Sequence, residues 1–288
     1  MIPDTRPVDF TPIAPRPLDV RWIHGSVSAK HNTDPDIQVH HYDPHTVVLR
    51  QNMSVHYEAP FLFLLFGNER AVLVDTGATA SAEYFPLRRV VDRLVEQWLE
   101  QNPRSDYELV VLHSHGHGDH VAGDAQFADR PRTTVVPAAL ESVTGFLGLS
   151  GGRAELDLGG RALDCIASPG HHAAAVTYYD RYTGVLLTGD TVYPGRLYIA
   201  DWDAYVATVD RLLAFAADHP VSHLLGCHIE MTDQAGTDYP IGTIHQPAEP
   251  PLEMTVRQLR DVRDALEQVA GEPGPHPFPD FVVYRLPD

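Results

Sequence analysis

Four histidines and an aspartate fall within eight positions, His113 to His120, of the stretch V-V-L-H-S-H-G-H-G-D-H-V-A-G. Imidazole and carboxylate at that density are the donors of a transition-metal site. Their spacing also sets directions. His115 and His117 are two apart, so in an extended loop their rings lie on the same side. Asp119 and His120 follow where the chain would turn into the next helix, which aims them at a second point nearby. Gly116 and Gly118 between them permit backbone angles that bulkier residues resist. The competing reading is a histidine-rich surface loop with adventitious metal affinity. It is the poorer one, because L-V-V-L at 109–112 reads as a buried strand leading straight into the cluster.

Positioning such a loop takes regular elements on both sides, and the periodicity supplies them. Residues 1–20 hold five prolines and little pattern, and read as an extended arm. From 21 to 75 come β-rich runs, with G-N-E-R separating two apolar runs as a hairpin would. Leu87, Val90, Val91, Leu94, Val95 and Trp98 recur at helical spacing. After the cluster, T-T-V-V-P-A-A reads as a strand, 138–147 as a short helix, and 154–190 as several strands. A helix at 202–218, the strand V-S-H-L-L-G-C-H and a last helix carrying Leu252, Leu259, Val262, Leu266 and Val269 complete the order. The expected division is an arm over 1–20 and one domain over 21–288, in two roughly similar halves.

Composition narrows the partners. The 288-residue chain is 43% hydrophobic and 21% charged, enough to bury a substantial core. A formal charge of −18 repels a phosphate backbone, so nucleic acid is not an expected partner. The longest apolar runs, such as F-L-F-L-L-F at 61–66, are too short to cross a bilayer, and no membrane partner is expected. The first residues lack the basic flank and apolar core of a signal peptide, which makes cytoplasmic residence the default expectation. Two cysteines, Cys165 and Cys227, imply no disulfide framework. What remains is a small-molecule substrate; oligomeric state is open.

S-H-G-H-G-D-H-V-A-G at 114–123 resembles the signature of the metallo-β-lactamase superfamily. Other landmarks follow in order from about residue 55 to 250: V-L-V-D-T-G with Asp75, S-P-G-H with His171, L-L-T-G-D with Asp190, and a late Leu225-Gly226-Cys227-His228. The resemblance implies an α/β fold, a four-layer αββα sandwich of two mixed β-sheets. It places His115, His117 and His171 on one metal ion, Asp119, His120 and a late histidine on a second, and Asp190 between them. Two divalent ions are implied, with zinc the leading choice and iron or manganese open. Many relatives carry Gly-His at the late site. His228 is favoured here at the cost of a one-residue bulge, and Cys227 is the alternative ligand. Asp75 would support the metal loop from behind. His172 and His113 are read as packing or supporting groups, and His24, His31, His40, His41, His45 and His56 as structural or solvated.

Two cations about 3.5–4 Å apart can bind a water between them and lower its pKa toward neutrality. The implied activity is therefore hydrolysis of an ester-like bond, in a lactone, thioester or related acyl substrate, by a metal-bridged hydroxide. Asp190, Asp119 and Tyr193 are the candidate catalytic residues. Tyr193 sits where the acyl-homoserine lactonase branch has a carbonyl-polarising tyrosine; it would serve as an oxyanion donor or as a wall of the pocket. Tyr198 and Arg196 are further candidates for substrate contact, Arg196 equally for a salt bridge. A glyoxalase II-type thioesterase and a mono-iron sulfur dioxygenase are the alternatives on the same fold. Gly148-Leu149-Ser150-Gly151-Gly152 matches G-x-S-x-G, but a helix before it and a strand after it are the reverse of what a nucleophile elbow requires. The helix at 138–147, with Phe146 and Leu147, and the N-terminal arm are expected to cap the pocket.

Overall fold

A computed structural model describes residues 6–287. The first sheet takes its six strands in chain order: β1 (Ile37–Asp43), β2 (Thr46–Gln51), β3 (Phe61–Phe66), β4 (Arg70–Val74), β5 (Glu108–Leu112) and β6 (Thr133–Val135). Pairing is antiparallel from β1 to β4 and parallel from β4 to β6. Between β4 and β5 runs α1 (Leu87–Gln101). Between β5 and β6 the metal-motif loop passes into one turn of helix, α2 (Gly118–Val121). Next comes α3 (Leu140–Leu147).

The second sheet contains β7 (Arg153–Asp157), β8 (Ala162–Ala167), β9 (Val176–Asp180) and β10 (Val185–Gly189). The chain then leaves for β11 (Arg196–Ile199) and α4 (Trp202–Asp218), and returns in β12 (His223–Gly226) and β13 (Glu253–Met254). The strand order is β13-β12-β10-β9-β8-β7, with β10 and β12 parallel. Helix α5 (Val256–Val269) opens on a capping box, Thr255 accepting from the Gln258 amide while the Gln258 side chain accepts from the Thr255 amide. The last strands, β14 (Gly274–Pro277) and β15 (Val282–Arg285), form a small sheet with β11 in the order β11-β15-β14.

Alternation along the strands explains the layering. Phe61, Phe63 and Leu65 of β3 point into the core shared with Leu163, Cys165, Val185 and Leu187 of the second sheet. Leu62, Leu64 and Phe66 point the other way, onto Val91, Leu94 and Trp98 of α1. The run F-L-F-L-L-F is thus continuous because both faces of β3 are buried. On the far side, Ile166, Leu186 and Leu224 cover Val209 and Leu212 of α4 and Leu259 and Val262 of α5. The order of layers is helix, sheet, sheet, helix, the αββα sandwich that the motif implied.

The arm over residues 6–20 lies against the sandwich: Phe10 packs edge-on against Tyr182 at 5.2 Å, and the Ile13 amide donates to the Tyr182 carbonyl at 2.9 Å. Residues 1–5 of the expected arm lie outside the described residues. No helix among the described residues is long and apolar enough to cross a membrane. The backbone around Ser150 sits between α3 and β7, as read from the sequence; its side chain lies outside the described residues.

Candidate metal centre

The parallel strand pairs end at one edge of the sandwich, and each end delivers a polar side chain there. Asp75 follows β4, His113 to His120 follow β5, Asp190 follows β10, and Cys227 and His228 follow β12. The turn after β8 adds His171, and the loop after β2 adds Glu58. Placement beyond the carboxyl ends of strands is the usual place for sites in α/β sheets. Gly170, in the S-P-G-H turn, has φ +136°, and a Cβ there would lie 2.4 Å from Tyr205 Cα; only glycine lets that turn bring His171 in. By contrast, Gly116 and Gly118 are not in the left-handed region. Gly116 sits in a tight place, since a Cβ there would lie 3.2 Å from the Ala138 carbonyl and from the His172 ring.

Two groups of donor atoms converge. In the first, His117 Nδ1 lies 3.0 Å from both His115 Nε2 and His171 Nε2, and those two are 3.3 Å apart. Zinc–nitrogen bonds of about 2.0–2.1 Å put tetrahedral ligands about 3.3 Å apart, so the spacing suits one such ion. In the second, Asp119 Oδ2 lies 3.2 Å from His120 Nε2 and 3.3 Å from His228 Nε2. Asp190 borders both groups. Its Oδ2 is 3.5 Å from His120 Nε2, 3.7 Å from His171 Nε2 and 3.8 Å from His115 Nε2, and its Oδ1 is 3.5 Å from His228 Nε2. Asp190 Oδ1 is buried with no hydrogen-bond donor of its own. A buried carboxylate oxygen left unanswered is costly unless a cation meets it.

The far side of each ring decides which nitrogen is free. His171 Nδ1 donates to the Tyr198 carbonyl at 2.7 Å, and His228 Nδ1 donates to the Glu58 carbonyl at 2.9 Å. A carbonyl only accepts, so Nδ1 carries a proton and Nε2 is the nitrogen that faces the site. His120 Nδ1 lies 3.0 Å from Asp75 Oδ2. That carboxylate also accepts from the Ser114 amide at 2.7 Å, the Ser114 hydroxyl at 2.8 Å and the Cys227 thiol at 3.3 Å. Asp75 has φ +69°, a strained value for a non-glycine residue, and these four donors hold it there.

Charge differs between the groups. Burial and the neighbouring His120 push His115 well below the ordinary histidine range, and burial beside His171 lowers His117. These are neutral lone-pair donors. Burial would also lower His120 and His228, but carboxylates outweigh it. Asp190 and Asp75 raise His120 well above its usual range, and Asp190 and Asp119 push His228 up to about 10. Burial would raise Asp119 and Asp190, yet the facing histidines hold both well below the usual carboxylate range. The second group therefore favours positive charge at its centre. Both donor sets fit divalent cations, neutral imidazoles on one side and a carboxylate-rich set on the other.

Every expected ligand, His115, His117, Asp119, His120, His171, Asp190 and His228, comes to this edge. Cys227 lies behind His120, its Sγ facing Asp75, and burial pushes its thiol up. The one-residue irregularity expected near His228 falls instead in β10, where Leu187 pairs with Leu225 and Gly189 with Gly226, leaving Thr188 extra. His172 is beside the group, its ring 5.0 Å from that of His117. His113 Nε2 meets Asp124 at 2.9 Å and is buried in a supporting position.

Tyr193 departs from its catalytic expectation. Its hydroxyl donates to the Arg196 carbonyl and lies 3.2 Å from Glu230 Oε2, while its ring stands edge-on to His228 at 5.8 Å. A phenol has one proton, and here it is engaged, while the residue lines the cleft over the donors. Arg196 takes the salt-bridge role: Nη1 meets Glu230 at 2.9 Å and Nε meets Asp238 at 2.6 Å. The cleft over the donors, of about 280 Å³, is lined by neither Phe146 nor Leu147 and by none of the arm's described residues; Leu147 is buried in the inter-sheet core instead. Its outer wall comes from Tyr198, a sequence candidate for substrate contact, and from Glu58 and Leu286, which sequence reasoning missed for want of any distinctive spacing.

The sequence model of the metallo-beta-lactamase superfamily matches residues 59–272. A hydroxyacylglutathione hydrolase of Rhizobium meliloti (strain 1021) is 30% identical over 166 residues, covering 54% of this chain and 62% of that protein. A hydroxyacylglutathione hydrolase of Halorhodospira halophila (strain DSM 244 / SL1) is 30% identical over 193 residues, covering 62% of this chain and 66% of that protein. The matches thus span just under two thirds of these relatives' length. Among solved structures, a metallo-beta-lactamase from Pontibacter korlensis superposes with a TM-score of 0.54 at 16% identity, covering 80% of this chain and 99% of that one, a likeness of fold. With the signature loop, the layered sheets and a family match over most of its length, this chain belongs to the metallo-β-lactamase superfamily.

Proposed function

We propose that the chain is a metal-dependent hydrolase of a small acyl substrate, and that the bond it cleaves is a thioester. The observation that carries the reading is the pair of donor groups meeting at Asp190. His115, His117 and His171 would hold one divalent cation and Asp119, His120 and His228 the other, with Asp190 between; zinc suits these donors. Cations so held supply a Lewis acid for the substrate carbonyl and acidify water toward neutrality.

The chain's own groups do the rest. Asp190 orients the attacking water and takes its proton, its carboxylate being the one acceptor central to both groups. The Tyr198 and Glu58 carbonyls keep His171 and His228 in the tautomer that presents Nε2, and Asp75 steadies His120. Tyr193 and Tyr198 wall the cleft and limit the approach of bulk water. The names of the curated relatives support a thioester over a lactone. So does the engaged Tyr193 hydroxyl, which offers no proton to a lactone carbonyl.

The test is metal quantification on purified protein beside a hydrolysis screen of thioesters, lactones and aryl esters. Two equivalents of metal per chain and thiol release from a thioester are expected. One iron per chain with oxygen uptake and no hydrolysis would replace this reading with the mono-iron oxygenase.

A further inference from the structure

Beside the cleft over the donor groups lies a second one, of about 60 Å³, bounded by Tyr57 and the turn at Pro240, Ile241 and Thr243. Glu58, Tyr198 and Glu230 border both clefts, so a substrate reaching past the reacting centre runs along this wall. The wall is negative. Among the described residues lining either cleft, Arg196 is the sole arginine or lysine, and Glu230 and Asp238 neutralise it. Its Nη2 also donates to the Tyr239 carbonyl. Glu58 follows Tyr57 in the chain, and its carboxylate is the main reason the neighbouring phenol is pushed up to about 12. Apolar groups frame the carboxylates: Ile241 is 70% exposed at one rim and Leu286 37% exposed at the other. Exposed tyrosine and isoleucine around an acidic group suit an alkyl arm that is neutral or ends in an ammonium group.

We infer that the second cleft selects acyl substrates whose arm is uncharged or cationic and rejects arms bearing a carboxylate, with Glu58 as the discriminating residue. The inference rests on the hydrolase reading above. It separates this chain from the substrate in its relatives' name, because glutathione carries two carboxylates and no described residue of this wall is placed to neutralise them.

A matched series of thioesters on the metal-loaded enzyme tests it, with one ammonium, neutral or carboxylate group at the end of the leaving thiol or, in a mirrored set, of the acyl chain. On the arm that occupies the second cleft, kcat/KM for the carboxylate is expected to fall about tenfold or more below that for the ammonium, mainly through KM, as expected for one unscreened charge contact at a partly wet surface. Glu58→Gln should shrink that ratio to within about threefold, and Glu58→Lys should reverse it. The backbone carbonyl that holds His228 stays in both variants, so a purely structural role for Glu58 predicts no reversal. Equal or greater turnover of the carboxylate on both arms, or a ratio insensitive to both substitutions, overturns the inference while leaving the hydrolase reading intact. Absence of hydrolysis across the whole series overturns both.

Discussion

At the end of the sandwich where β9 finishes, Arg161 is fully buried and each face of its guanidinium is answered. Asp180 takes Nε at 3.0 Å and Nη2 at 2.6 Å, Thr46 takes Nη2 at 2.7 Å, and the Phe66 and His45 carbonyls take Nη1 at 3.0 and 2.5 Å. At the opposite end, Asp190 keeps an unanswered oxygen, and ring nitrogens of His115, His117 and His171 stand 3.0–3.3 Å apart. Both regions bury polar groups between the same two sheets. The first is a closed network that ties β8 and β9 to β2 and β3. The second is open at its centre, and that openness distinguishes a site from a staple.

The contrast can be broken from either side. Asp190→Asn should cut kcat/KM by about a thousandfold or more, within the range for losing a positioned base, while leaving the melting temperature nearly unchanged; retained turnover would remove Asp190 from the chemistry. Arg161→Leu is expected to do the opposite. It strands Asp180 in the core and should destabilise the fold by about 3–5 kcal/mol, read by thermal or urea unfolding, with metal content per folded chain unaltered. His228→Ala should lower bound metal by about one equivalent in elemental analysis. Asp75→Asn removes a charge from behind His120 and should weaken metal affinity about ten- to a hundredfold in a chelator competition. Cys227→Ala is expected to leave metal content unchanged; loss of an equivalent there, with none in His228→Ala, would exchange the two residues' roles.

The H-S-H-G-H-G-D-H loop, the helix at 87–101 and the strand β3 were legible because each is a local pattern: a donor spacing, a 3.6-residue period, an unbroken apolar run. His171 could be told from His172 by its place after S-P-G. Tyr193 could not be judged, since whether a phenol faces substrate depends on the Arg196 carbonyl, three residues on, folding back to take its proton. Nor could β11 be read beside β15. Their parallel pairing joins Leu197 to Val283 across most of the C-terminal third, and neither strand is longer than four residues.

Residue order alone determined the kinds of donor, their spacing within each loop and the alternation that forces two sheets face to face, because these are set by the backbone period and by which side chains avoid water. Only the folded chain decided which lone pairs meet, that Glu58 closes the site and that Cys227 stands behind it. Those outcomes depend on strand ends brought together from distant positions, and on a one-residue slip in β10 that no local pattern encodes.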